Sequence, residues 1–257
     1  AGLFVAVSTT GAGNRVMTSP DGTTWTIRAS AANVAWSDIC YGNNLFVAVS
    51  STGSADGVMT SPDGITWTQR TAAARNWFGV TYGAAGFIAV GTGQHAMTST
   101  DGITWTDQAG TPTGFQFRSI AYANGIYLAI DTLGSFFTTT TGVTWTDVTP
   151  VSPVIPAITD VVYGNGLFVV LGGAGAIFTS PDAIVWTQQT AANTNDWFSI
   201  AYGNNGFIAV ASTGTTGQVQ TSTNGVAWFS HEASAVAAWK GVAIGPTSAV
   251  AVGSNVS

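Results

Sequence analysis

The chain has 257 residues, of which 46% are hydrophobic and only 7% are charged, against about a quarter in an average domain. Its net charge of −6 and the scarcity of basic residues argue against nucleic-acid binding and against a polybasic membrane patch. The apolar residues come in short runs, so no membrane-spanning segment is predicted. The single Cys40 excludes an internal disulfide and is expected to be a buried thiol.

A turn followed by a tryptophan recurs along the whole chain. Successive tryptophans are 42, 38, 40, 41 and 42 residues apart. They are Trp25, Trp67, Trp105, Trp145, Trp186 and Trp228. A strand-rich period near 40 is typical of β-propellers, in which each repeat forms one four-stranded blade. We therefore predict that residues 1–257 form one domain, a six-bladed β-propeller built from six repeats.

Each repeat contains four predicted strands, named A to D in chain order. Strand A reads W-x-x-[IV]-x-Y-G, as at 36–42, and strand B is an apolar run such as 45–50. Strand C is short, as at 57–61, and strand D begins at the turn before the tryptophan, as at 65–70. Aromatic and β-branched runs bounded by Gly and Asn are strand signals. Continuous apolar runs indicate sheets that are covered on both faces.

The two ends of the chain hold partial repeats. Residues 3–8 match strand B, while 239–245 match strand A and are followed by a B-like run at 248–253. We expect the last A strand to complete the N-terminal B, C and D strands as a 3+1 blade, because closure removes free sheet edges. Residues 248–253 are then surplus, and a seven-bladed ring is the alternative.

The turn motif S-P-D-G-x-T-W, as at 61–67, resembles the Asp-box (BNR) repeat. With the pattern W-x-x-[IV]…VAVG before it, the chain is most similar to the photosystem II assembly factors among Asp-box propellers, a group that also includes sialidases and xyloglucan hydrolases. The resemblance implies a propeller in which the box is structural. Thr141 and Asn224 replace the Asp in two repeats and Ala183 replaces a Gly, which fits a scaffold better than a repeated catalytic site.

Groups for catalysis or metal binding are sparse. Glu232 is the single Glu and the Arg residues are dispersed, so the sequence lacks the carboxylate pair of a typical glycosidase and the Arg cluster of a sialidase. His95 and His231 fall in different loops, without Cys or Asp at metal-ligand spacing. We therefore expect no metal, no cofactor and no enzymatic activity, with an Asp-box glycoside hydrolase that uses paired Asp residues as the alternative.

Two aspartates occupy the third position of strand A, where other repeats have Gly or Ser. They are Asp38 and Asp160. Strand A is normally the innermost strand of a blade, so we expect both carboxylates to line the propeller channel. A polar, water-filled axis accounts for them, and a cation site or an acid pair is the alternative.

Aromatic residues begin five of the A strands, and we expect them to pack between blades, with a ring of sugar-stacking platforms as the alternative. They are Trp36, Trp77, Phe117, Trp197 and Trp239. The D–A and B–C loops open on one face of a propeller and differ between repeats, whereas the turns on the other face are nearly uniform. Because binding residues concentrate on variable loops of a rigid scaffold, we expect ligands on the D–A/B–C face.

The ligand-binding candidates on this face are polar and aromatic residues of the loops and of the strand ends beside them. They are Arg75, Asn76, Trp77, His95, Phe115, Arg118, Asp131, Asn195, Asp196 and Trp197. We predict a binding module of lectin or adhesin type for a glycan or a surface receptor, located outside the cell or on a virion. A protein-assembly scaffold is the alternative. No nucleic-acid partner and no membrane insertion are expected.

Overall fold

The computed structural model describes residues 2–93, 95–109 and 114–255. The fold is that of an all-β six-bladed propeller whose blades are four-stranded antiparallel sheets. The described residues form 25 strands and one short 3-10 helix, Gly173–Gly175. Each turn–tryptophan motif lies between a C strand and a D strand, as the sequence predicted.

Five sheets have four strands each, and in each sheet the strands lie in chain order. The first is β4 (Trp36–Gly42), β5 (Leu45–Ser50), β6 (Val58–Ser61) and β7 (Thr68–Arg70). The second is β8 (Trp77–Gly83), β9 (Gly86–Gly91), β10 (Ala96–Ser99) and β11 (Thr106–Gln108). The third is β12 (Phe117–Ala123), β13 (Ile126–Asp131), β14 (Phe136–Thr139) and β15 (Thr146–Asp147). The fourth is β16 (Ile158–Gly164), β17 (Leu167–Gly172), β18 (Ile177–Ser180) and β19 (Thr187–Gln189). The fifth is β20 (Trp197–Gly203), β21 (Gly206–Ala211), β22 (Val219–Ser222) and β23 (Phe229–His231).

Two smaller sheets come from the ends of the chain. A three-stranded sheet contains β1 (Phe4–Val7), β2 (Val16–Ser19) and β3 (Thr26–Arg28). A two-stranded sheet contains β24 (Ala237–Ile244) and β25 (Ala249–Asn255). The B-like run at 248–253, which we expected to be surplus, therefore lies largely within β25 and pairs with the last A strand. The 3+1 blade stays a prediction.

Contacts divide the chain into two compact units. The first unit is Ala1–Ala129 with Phe137–Asp147, and the second is Ile130–Phe136 with Val148–Ser257. Aromatic residues at the start of A strands lie in the core of each unit: Trp36, Trp77 and Phe117 in the first and Trp197 in the second are at most 1% exposed. These four side chains pack as core residues, as expected for this repeat position, whereas the fifth, Trp239, is only half-buried.

The turn–tryptophan motif is a closed hydrogen-bonded unit. In the second repeat the Ser61 hydroxyl donates to Asp63 Oδ1 at 2.8 Å, and the same oxygen accepts backbone N–H bonds from the residues two and three positions on, at 2.8 and 2.9 Å. The Trp67 indole donates back to the Gly64 carbonyl at 3.1 Å. The backbone bonds and the serine hold the pKa of Asp63 below its usual range. Asn224 accepts the same two backbone bonds, at 2.9 and 3.0 Å.

Glycines at the end of strand A bring neighbouring blades close together. A Cβ atom on Gly42 or Gly83 would overlap the ring of Tyr82 or Tyr122, the tyrosine of the following blade. Gly164 faces Tyr202 in the same way in the second unit. The Y-G ending of strand A is therefore an interblade contact as well as the start of a turn.

Candidate functional site

Asp38 joins one blade to the next. Its Oδ1 accepts from the N–H of Ile39, and its Oδ2 accepts from the N–H of Val80 in β8, both at 2.8 Å. The preceding Ser37 hydroxyl donates to the Trp77 carbonyl at 2.6 Å. Loss of solvent around Cys40 raises the pKa of its thiol, and the charge of Asp38 adds to this effect. Cys40 itself lies half-buried in β4.

Asp160 repeats this arrangement in the second unit. Its Oδ1 accepts from the N–H of Val161 at 2.9 Å and its Oδ2 from the N–H of Ile200 at 3.0 Å. The hydroxyl of Thr159 donates to the Trp197 carbonyl at 2.7 Å. A hydroxyl residue followed by Asp thus links two neighbouring A strands. We interpret both aspartates as interblade links. That they line the propeller channel stays a prediction, with a cation site or acid pair as its alternative.

Two of the predicted ligand residues meet at a third residue that the sequence did not suggest. Arg75 binds Asp107 through Nη2 and Oδ2 at 2.8 Å, and His95 Nδ1 lies 3.5 Å from Asp107 Oδ1. The three side chains are 34%, 21% and 33% exposed, in the order Arg75, His95 and Asp107. Because the carboxylate already balances the guanidinium, the cluster offers hydrogen bonds without a strong net charge.

Three further candidates in the first unit make contacts that hold their own segments. The backbone carbonyl of Asn76 accepts from the N–H of Thr92 in the neighbouring B–C loop at 3.0 Å. Phe115 packs on the ring of Phe137, with centroids 4.6 Å apart. The Arg118 guanidinium lies 5.8 Å from the centre of the Phe78 ring. These contacts order the face on which a ligand was predicted.

The two tryptophans among the candidates are fully covered. Trp77 and Trp197 are both 0% exposed. The Trp77 indole donates to the Ala73 carbonyl at 3.1 Å, which fixes the D–A loop before it. A covered indole presents no face to a sugar ring, so in this structure neither residue can serve as a stacking platform.

Asp131 organises a loop from inside the second unit. It is 0% exposed, and its Oδ1 accepts from the N–H groups of Leu133 and Ser135, both at 2.8 Å. Its Oδ2 is buried without a hydrogen-bond partner among the described residues. The carboxylate therefore shapes the B–C loop that follows β13.

Asn195 and Asp196 connect loops of the second unit. The Asn195 side-chain amide donates to the Thr216 carbonyl at 3.0 Å. Asp196 Oδ1 accepts from the N–H of Ala174 at 2.9 Å. Together they tie the D–A loop before β20 to the B–C loops on both sides of it.

An exposed apolar surface lies on the same face of the second unit. Among the described residues, the three large apolar side chains with the greatest exposure are Leu133 at 77%, Val151 at 95% and Val154 at 83%. We call these three residues the apolar loop patch. Their loops touch, since a Cβ atom on Gly134 would overlap the Ile155 carbonyl. In the sequence, the available signal for this surface is the Val- and Pro-rich run at 148–157.

A polar groove of about 460 Å³ lies in the second unit, beside the D–A loop before β20. It is lined mainly by amide and hydroxyl side chains, which include Gln188, Gln189, Thr190, Asn193 and Thr194. Such groups can bind hydroxyl-rich or backbone-like ligands by hydrogen bonds, without charge.

The described ranges hold no group of three His, Cys, Asp or Glu side chains that could bind a metal ion. No described helix is long and apolar enough to cross a membrane.

The fold and the loop face define a propeller-type scaffold with an exposed loop surface, and several solved structures share this fold. No family model matches the chain, and no curated protein matches it. Virginiamycin B lyase from Staphylococcus aureus is 12% identical with a TM-score of 0.75, over 90% of this chain and 82% of that one. YCF48 from Cyanidioschyzon merolae is 15% identical with a TM-score of 0.68, over 98% of this chain and 92% of that one. YCF48 bound to a D1 peptide is 14% identical with a TM-score of 0.72, over 97% and 86%.

At these identities the similarity shows the fold alone. It agrees with the resemblance to photosystem II assembly factors drawn from the repeats, whereas the Asp-box assignment stays a prediction. The expectation that the chain is not an enzyme was wrong, because virginiamycin B lyase is an enzyme built on this fold. A single Glu and dispersed Arg residues are therefore no ground for excluding catalysis.

Proposed function

We propose that this protein binds a segment of another protein through the apolar loop patch, as a scaffold for assembly. The observation that carries the proposal is the concentration of the greatest apolar exposure on two touching loops, those of Leu133 and of Val151 and Val154. Exposed apolar side chains grouped on neighbouring loops are typical of protein–protein contact.

The size of the patch is suited to a peptide-like ligand. Full burial of a Val or Leu side chain contributes about 1.5–3 kcal/mol, so three of them supply about 5–9 kcal/mol before the entropic costs of association. Asp131 beneath Leu133 and the contact between Gly134 and Ile155 hold the loops in place. An ordered surface loses less entropy when it binds, which favours affinity.

The patch fits a protein better than a glycan. Sugars are held by an exposed aromatic face and by planar polar groups, whereas the patch is aliphatic and the indoles of Trp77 and Trp197 are covered. The structure of YCF48 bound to a D1 peptide supports the proposal, since it gives a peptide ligand to a protein of the same fold. A surface receptor stays compatible with this proposal, and the polar groove is where a glycan would bind instead.

The test is a selection of peptides from a displayed random library, followed by titration of the selected peptides. The triple variant Leu133→Ser, Val151→Ser, Val154→Ser removes the patch. We expect it to weaken binding at least about tenfold, which is 1.4 kcal/mol. The matched control is Ile184→Ser with Val185→Ser, two apolar residues of a C–D turn that are 61% and 64% exposed.

The control variant should bind like the unchanged protein. The role of the patch would be refuted if both variants weakened binding equally. It would also be refuted if the selected peptides bound the triple variant as tightly as the unchanged protein. A glycan array forms the second arm: a glycan that binds the triple variant unchanged but not Gln188→Ala would favour the lectin alternative.

A further inference from the structure

The sequence Asn-Gly occurs four times, and the structure places the four pairs in different surroundings. They are Asn124–Gly125, Asn165–Gly166, Asn205–Gly206 and Asn224–Gly225. Asparagine is thermolabile in proteins, because the backbone nitrogen of the next residue can attack its side-chain carbonyl carbon. Glycine at that next position leaves the nitrogen unhindered, since it has no Cβ atom. Which pair reacts therefore depends on how firmly the fold holds the two groups apart.

Asn165 and Gly166 are the two central residues of the turn between β16 and β17. Their φ angles are +48° and +79°, and Gly164 pairs with Leu167 in the strand register, as in a two-residue type I′ hairpin. Both turn residues are exposed, and nothing lies within 4 Å of the place where Gly166 would carry a Cβ atom. The Asn165 side chain makes no hydrogen bond to the described residues. The turn therefore has room to flex through the conformation that brings nitrogen and carbon together.

The same dipeptide in the sixth turn–tryptophan motif is held in place. Asn224 Oδ1 accepts from the N–H groups of Val226 and Ala227, at 2.9 and 3.0 Å. The N–H of Gly225, whose nitrogen would have to attack, donates to the Ser222 hydroxyl at 2.9 Å, and Gly225 is buried. Attack requires the nitrogen to come within about 3–3.5 Å of the carbon with the correct alignment. In this motif other bonds fix both reacting groups.

The remaining two pairs lie between these extremes of restraint. Asn124–Gly125 forms the corresponding turn between β12 and β13, with φ angles of +53° and +84°. In Asn205–Gly206 the glycine is the first residue of β21 and pairs with Gly203, so the attacking nitrogen belongs to the strand. Asn165–Gly166 therefore has the least restraint that the structure shows for such a pair in the second unit.

We propose that Asn165 is a site of spontaneous deamidation in the folded protein. The Gly166 nitrogen loses its proton to the solvent and forms a bond to the Asn165 side-chain carbon. The bond from that carbon to the amide nitrogen breaks, and ammonia leaves after taking up a proton. Water then opens the resulting cyclic imide at either carbonyl and gives aspartate or isoaspartate, so that water is the only co-reactant. Each event adds one negative charge to the net charge of −6.

The two products act differently on the contact between blades. Gly164, the residue before the turn, faces the ring of Tyr202 in the next blade. Aspartate keeps the length of the main chain, whereas isoaspartate routes the chain through the side-chain carbon and adds one atom to the loop. Because loop length sets the register of a hairpin, isoaspartate shifts the pairing of Gly164 with Leu167. The isoaspartate form therefore loosens the contact with Tyr202.

The experiment follows the purified full chain during incubation at mildly alkaline pH, by anion-exchange chromatography and by peptide mass spectrometry. In the folded protein, Asn165 should convert at least about tenfold faster than Asn224, because the fold keeps only the second pair apart. In guanidinium chloride both sites should convert at similar rates, since each pair is then unrestrained and is followed by an aliphatic residue. Ser222→Ala releases the Gly225 nitrogen and should accelerate conversion at Asn224 several-fold.

The control Asn165→Gln has a longer side chain that would have to close a larger ring, and it should lose the fast-forming acidic species. Melting curves of the fresh variants confirm that the fold is kept. Equal rates at Asn165 and Asn224 in the folded protein, or the same ratio of rates in the folded and unfolded chains, would overturn the proposal. An unchanged rate at Asn224 in Ser222→Ala would contradict the protection by the hydroxyl.

The effect on the blade contact has its own measurement. The isolated isoaspartate form should unfold at a lower denaturant concentration than the variant Asn165→Asp, which carries the same charge without the added atom. Equal unfolding midpoints would show that the contact with Tyr202 survives and would overturn this part of the proposal. The turn of Asn165 lies at the opposite end of strand A from the D–A loops, so the incubated protein should bind peptides at the apolar loop patch as before. The two proposals can therefore fail separately.

Discussion

The link between Asp160 and the next blade leads to a quantitative prediction. Asp160→Ala removes the acceptors of two backbone N–H groups, those of Val161 and Ile200. Ile200 is 5% exposed, so water cannot readily replace the lost acceptor. A hydrogen bond to a charged group contributes about 1.5–3 kcal/mol, and an unsatisfied buried donor costs about 1–3 kcal/mol. We therefore expect the free energy of unfolding to fall by about 3 kcal/mol, and the melting temperature by about 6–12 °C.

Equilibrium urea unfolding, followed by tryptophan fluorescence and by circular dichroism, measures this change. Asp160→Asn keeps one oxygen acceptor and should lose about half as much. The matched control is Ser199→Ala, at the same repeat position in the next blade, with an expected change below about 0.5 kcal/mol. A loss below about 0.5 kcal/mol for Asp160→Ala would refute the link. Stabilisation of the unchanged protein by a divalent cation, abolished in Asp160→Asn, would support the cation alternative instead.

Three further predictions concern pH and packing. The pKa values of Asp63 and Asp101 are lowered by backbone hydrogen bonds in their turns, so their contribution to stability is present above the unfolded-state pKa and is lost as pH falls through the folded one. The double variant Asp63→Asn with Asp101→Asn should therefore lose less stability below about pH 4 than the unchanged protein, as measured by urea unfolding at several pH values. The same dependence of the unfolding free energy on acid pH in both proteins would contradict this. Burial raises the pKa of Tyr127 to about 12, so its contribution is present below about pH 10 and is lost as pH rises towards that value. Tyr127→Phe should lower the free energy of unfolding by about 1–3 kcal/mol at neutral pH and should make stability less dependent on pH in the alkaline range. An unchanged free energy of unfolding would show that the two hydrogen bonds of the Tyr127 hydroxyl, at 3.0 and 2.9 Å, contribute little. Gly83→Ala should cost about 1–3 kcal/mol because its Cβ would overlap the Tyr122 ring, and a melting temperature equal to that of the unchanged protein would disprove the contact.

Strands A and B were predictable because the repeat marks both of their ends. The prediction of 36–42 as strand A coincides with β4, Trp36–Gly42. Strand D was predicted too long, at 65–70, whereas β7 begins at Thr68. The reason is local: the Trp67 indole donates back to Gly64, so the residues up to the tryptophan belong to the closed turn.

The site was less predictable, because it depends on which loops meet. Asp107 joins Arg75 across 32 residues of sequence, through a strand register that a single sequence does not specify. The burial of Asp131 and the exposure of Val151 depend likewise on how loops fold over a blade. An Asp follows the Thr of strand D in two repeats, at Asp107 and Asp147. This shared repeat position was the available sign in the sequence that Asp107 belongs to the site.

The bonds between neighbouring A strands have a consequence for how this gene can change. They join Ser37 to Trp77, Asp38 to Val80, Thr159 to Trp197 and Asp160 to Ile200, partners that are 40, 42, 38 and 40 residues apart. Every such bond therefore spans one repeat length. Unequal recombination that adds or removes one whole repeat would leave each remaining A strand beside another A strand with which it can form these bonds. Such a change is tolerable because nearest-neighbour contacts carry most of the stability of repeat proteins. Relatives of this protein should accordingly differ by whole repeats more often than by parts of one.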